Sequence, residues 1–122
     1  MINMDMEFVK DESIVSMWET IDFVNNPKQF NPNKKYWKDK LLLDKLSVYA
    51  DGNLLISFKN NYTKNTKYTK DYIYNLCAEN TLCNYEVKEI NSEVYMTIEW
   101  KSGDYIYGRV ISGYYVLKNV KY

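Results

Sequence analysis

The 122 residues make one domain's worth of chain, long enough to bury a core without disulfide or metal staples. Sixteen basic residues balance sixteen acidic ones, so no overall field steers the chain toward nucleic acid or toward cations. Histidine is absent, which removes Ser-His-Asp and Cys-His catalysis, imidazole acid–base chemistry and His-ligated zinc within one chain.

Residues 1–12 carry no usable periodicity and read as an N-terminal arm ahead of a single domain over 13–122. The stretch Met1 to Glu7 has neither a basic region nor an apolar run, so it is not a signal peptide. Nowhere does the chain approach the roughly 20 apolar residues of a membrane helix. A cytoplasmic location with no membrane partner is therefore the expectation.

From Ile14 to Val24 the sequence IVSMWETIDFV is rich in β-branched and aromatic residues and predicts a first strand. Both prolines then fall in a polar segment, and Asn31 before Pro32 suits an N-cap and first helical position. That predicts a short helix over Pro32–Trp37, between the first two strands. Leu41–Ala50 and Asn53–Phe58 are strands around an Asp51-Gly52 hairpin turn. Residues 60–67 read as a polar loop, followed by strands over Tyr68–Asn75 and Cys83–Ile90. Asn91-Ser92 turns the chain into Val94–Trp100, Lys101-Ser102-Gly103 into Asp104–Val110, and Ser112-Gly113 into Tyr114–Val120.

The result is eight strands joined mostly by short connections between neighbours. Such a meander predicts an all-β, eight-stranded antiparallel up-and-down barrel, because closure removes the two exposed edges. Val94, Met96, Ile98 and Trp100 share one face of their strand and should line the interior. In the second strand Leu41 and Leu43 are out of phase with Leu46 and Val48, which predicts a β-bulge near Asp44-Lys45. Glycines 103, 108 and 113 suit bends and turns. Trp18 in the first strand is the natural plug for one end of the tube.

Several segments resemble a lipocalin-like domain of Firmicutes: WETIDFV at 18–24, FNPNKKYWKDKLLLDKL at 30–46, YEVKEINSEVYMTIEWKSGDY at 85–105 and YYVLK at 114–118. The resemblance covers most of the chain after residue 14 and keeps segment order. It implies the calycin-type barrel fold, in proteins that stand alone or carry the domain beside transcription regulators. In the wider lipocalin group a Gly-x-Trp motif opens the first strand and a late basic residue packs over its indole. Trp18 matches that tryptophan, with Ser16 in place of the glycine. Arg109, the single arginine, is the implied partner, joined to Trp18 by a cation–π contact that closes the barrel. The order Gly108-Arg109 departs from that of the bacterial relatives and would turn the side chain to the opposite face unless a bulge compensates.

The candidate ligand-binding residues are Trp37, Tyr72, Tyr74, Met96, Ile98, Trp100 and Ile106, an aromatic and aliphatic lining suited to a hydrophobic or aromatic small molecule. Thirteen tyrosines fit either that lining or ordinary half-buried strand positions. The lysines around Tyr36 and Trp37 are mixed with acidic residues and show no RNA-binding signature, so nucleic acid is not an expected partner. Carboxylate pairs such as Glu19/Asp22 form no recognisable enzyme signature, and neither a cofactor nor a metal is called for. Cys77 and Cys83 lack a CxxC spacing and are expected as reduced thiols, pairing only in an oxidising compartment. Two functions suit the barrel: an intracellular carrier or sensor of a hydrophobic molecule, or a packed interaction module able to form a homodimer, which the resemblance would link to transcription regulation.

Overall fold

Eight antiparallel strands close into a barrel in chain order, β1 to β8, with β8 pairing back onto β1. The structure is a computed structural model describing Val9 and residues 11–36, 43–59, 61–74, 82–100 and 113–120. The strands are β1 (Met17–Val24), β2 (Leu43–Val48), β3 (Asn53–Phe58), β4 (Thr63–Thr69), β5 (Tyr72–Tyr74), β6 (Leu82–Ile90), β7 (Glu93–Trp100) and β8 (Gly113–Val120). The predicted barrel is thus present, but its strands are not all the predicted ones. The segment 60–67, read as a polar loop, is mostly β4, and the segment after it divides into the end of β4 and the short β5. Thr, Lys and Asn on both faces hide the period-two signal there. Ladder bonds to β3 hold the strand instead, from Asn53↔Lys67 to Ser57↔Thr63. The segment 104–110, read as the seventh strand, lies outside the described residues, and β7 pairs directly with β8.

No α-helix occurs among the described residues. Pro32–Tyr36 is not helical, and Trp37 lies outside the described residues. The proline-and-asparagine start signal acts five residues earlier, in a 3-10 turn over Pro27–Gln29. Asn26 accepts from Lys28 N–H while the Gln29 side chain reaches back to the backbone N–H of Asn26, a reciprocal capping box. After Asn31 the corresponding third position is Lys34, which offers no such acceptor, and Asn31 forms a local turn instead. Ile14, assigned by sequence to the first strand, ends a second 3-10 turn over Glu12–Ile14.

Two bulges set which side chains face inward. In β2 the register passes from Leu43↔Phe58 to Lys45↔Ser57, so Asp44 is the extra residue, as the phase slip predicted. In β1 it passes from Thr20↔Leu117 to Asp22↔Val116, making Ile21 the extra residue. Strict alternation from Trp18 would point Asp22 into the barrel. The bulge turns it outward and brings Phe23 into the core opposite Tyr115.

The interior is one apolar cluster that includes Trp18, Leu46, Ile56, Ile73, Met96, Ile98 and Leu117. A smaller cluster of Val24, Tyr95 and Val116 lies on the outer face, packed against Ile21, Ile90 and Tyr114 and covered by Phe30 from the segment after β1. The two barrel ends differ. At one end the strands are joined by residues 49–52, 70–71 and 91–92. Gly52 and the pair Asn91-Ser92 have the positive φ that such turns require. The connections 25–42, 59–62, 75–81 and 101–112 all join strands at the other end.

Candidate functional site

The end with short turns is closed by the N-terminal segment. Trp18 is 1% exposed, and its Nε1–H donates to the Ile14 carbonyl at 2.9 Å, which ties the 3-10 turn beneath the ring. Val9 N–H donates to Thr69 Oγ1 at 2.7 Å and Lys70 N–H to the Val9 carbonyl at 2.9 Å. The Tyr85 hydroxyl lies 2.9 Å from an Asp11 carboxylate oxygen and 3.1 Å from the Thr69 carbonyl, both acceptors. Burial first, and then the bond to Asp11, push the Tyr85 phenol well above its ordinary range. Val9 and residues 11–14 therefore act as a strap from the β4–β5 turn across to β1. Arg109, the implied partner of Trp18, lies outside the described residues.

At the opposite end three aromatic rings from β1, β7 and β8 interlock. Phe23 meets Tyr115 edge-on at 4.9 Å between centroids, and Trp100 meets Tyr115 edge-on at 5.1 Å. Below them Met96 and Ile98 have 0% exposure. Of the candidate lining residues, Met96, Ile98 and Trp100 come together in the main core. Tyr72 and Tyr74 flank the core residue Ile73 on β5, with Tyr72 half-buried and Tyr74 buried outside the main cluster. Ile106 and Trp37 lie outside the described residues, as does Cys77, while Cys83 is buried in the core. Among the described residues no three carboxylates or thiols converge as a metal site would require.

A further concavity lies outside the barrel, where sequence reasoning placed nothing. The segment 25–36 returns along the outer face of β1, β8 and β7 and leaves a cleft of about 250 Å³. Two contacts hold the segment there. Phe30 packs edge-on against Tyr95 of β7 at 4.9 Å. Asp22, 1% exposed, accepts Phe23 N–H at 2.8 Å on one oxygen and Tyr36 N–H at 3.0 Å on the other. Ile21 and Pro32 join this apolar wall, and Lys34, Lys35 and Lys118 stand around it. A signal for this site was available: a carboxylate at the inward phase of β1, next to a phenylalanine at the outward one, marks a register slip.

Comparison with protein-family models, curated proteins and solved structures found no match. What the geometry defines by itself is a closed eight-stranded barrel with a strapped end and an aromatic end.

Proposed function

We propose that the chain is a lipocalin-like binding barrel that takes a hydrophobic or aromatic small molecule, acting inside the cell as a carrier or sensor. The observation that carries this reading is the asymmetry of the ends. Trp18 and the strap, Val9 with residues 11–14, seal one end, whereas Phe23, Trp100 and Tyr115 form an aromatic layer at the other, the end at which β1, β3, β5 and β7 finish. The binding place is the rim of this aromatic end rather than the mid-barrel, because Phe23 keeps 7% exposure there whereas Met96 and Ile98 have none. An eight-stranded barrel is just wide enough for side chains to fill, so a guest is seated over the packed layer.

The test is titration of the full chain with a neutral hydrophobic fluorophore such as N-phenyl-1-naphthylamine, alone and in competition with aromatic compounds. One saturable site with quenching of tryptophan emission is the expected result. An intact barrel that binds none of the probe overturns the reading. The same zero exposure of Met96 and Ile98 favours the second reading, a packed module for protein–protein contact. That reading expects no probe binding and a dimer in sedimentation.

A further inference from the structure

We infer that the outer cleft between the segment 25–36 and the sheet face of β1, β8 and β7 is a binding site for a small aromatic anion, one ring bearing one anionic group. The Ile21 bulge places both Ile21 and Asp22 on the outer face. Asp22 then fastens Tyr36 through its backbone N–H, and the Phe30–Tyr95 pair fastens the middle of the segment. The chain between these two ties is held off the sheet instead of collapsing onto it, and the resulting volume of about 250 Å³ is small for a ligand site. A single-ring molecule suits that volume, and ring edges and faces at Phe30 and Tyr95 suit a planar guest.

Charge selects the rest of the ligand. Three ammonium groups, on Lys34, Lys35 and Lys118, belong to the lining, against one carboxyl group, on Asp22. The Asp22 oxygens already face the N–H groups of Phe23 and Tyr36. Lys34 Nζ is 5.4 Å from the Tyr36 ring centroid, which orients that ammonium. Lys118 is only loosely paired with Glu93, at 3.9 Å with both side chains more than 40% exposed, so an incoming anion competes with little loss. An apolar wall with a surplus of cations around it recognises a ring and a negative charge together, and neither alone.

The test is two-dimensional NMR of the full chain titrated with phenyl phosphate, benzyl alcohol and inorganic phosphate. Phenyl phosphate is expected to saturate, with shifts concentrated at the amides of Ile21, Tyr95 and Lys118. Benzyl alcohol lacks the charge and inorganic phosphate the ring, so each is expected to bind about tenfold or more weakly. Lys118→Gln should lower phenyl phosphate affinity about tenfold, whereas Lys67→Gln, on the exposed face of β4, should leave it unchanged. Three results overturn the inference: equal binding of benzyl alcohol, shifts mapping to the Trp100 end instead, or no saturation by about 10 mM. An unaffected Lys118→Gln variant overturns it as well.

Discussion

Trp18 is the largest fully buried side chain among the described residues. Its ring fills the strapped end, and its indole N–H satisfies the carbonyl of Ile14, a residue with no exposed surface. Trp18→Ala should therefore cost about 3–5 kcal/mol in urea unfolding, the range for a fully buried large ring. The loss should appear as a lower midpoint with an unchanged slope. Trp18→Phe keeps much of the volume and loses the hydrogen bond, so it should cost clearly less. A Trp18→Ala protein as stable as the parent would show that the strap closes the end without the ring. Asp22 makes the opposite point at the same scale. Strict alternation from Trp18 puts this carboxylate at an inward position, and it faces outward only because one extra residue precedes it.

Among the elements, β8 shows most directly how a neighbour dictates a residue. Gly113 opens it opposite Trp100, and a Cβ built there would come within 2.5 Å of Phe23 Cε1 and 2.9 Å of the Val24 carbonyl oxygen. The ring could move; the backbone oxygen could not move cheaply. Gly113→Ala is expected to destabilise by about 1–3 kcal/mol, as overpacking does. Adding Phe23→Leu should restore only part of that, because the contact with Val24 remains. Thermal melts of the single and double variants check this, and full recovery in the double would place the whole conflict in the ring. Other elements were legible from local chemistry. The Asp51-Gly52 and Asn91-Ser92 turns follow from residues that tolerate positive φ, and the Asp44 bulge follows from the leucine phase slip. β4 was hidden because its alternating Lys, Asn and Thr positions show no apolar period. The capped turn was shifted because two Asn-Pro pairs compete, and only Asn26 has a glutamine three residues on.

For the whole molecule, the strap links overall stability to pH. The Tyr85 phenol is raised above its ordinary value of 10, first by burial and then by the Asp11 bond. A raised tyrosine favours folding fully below that value, because both states are then protonated and the hydroxyl bonds are intact. Above it the unfolded chain loses its proton first, and the contribution falls away as pH rises. Melting temperature should therefore decline from about pH 10 upward, and less steeply in Tyr85→Phe. That variant should start lower at neutral pH, since Asp11 and Thr69 lose a donor. Parallel pH profiles for the two proteins would remove Tyr85 from the account.

The sequence by itself determined most of the barrel: the β-forming runs of β1 to β3 and β6 to β8, the turn residues between several of them and an inward stripe through Met96, Ile98 and Trp100 are local properties of the chain. Tertiary structure alone decided three things. It decided that Val9 and residues 11–14 seal an end, since Val9 and Thr69 lie 60 positions apart and meet only when β4 and β5 are in place. It decided that β7 and β8 are neighbours in the ladder, because pairing depends on register with both flanking strands. And it decided that Asp22 and three lysines surround an outer cleft, because a one-residue bulge reverses every side chain after it and no composition or spacing records which way the chain then folds back.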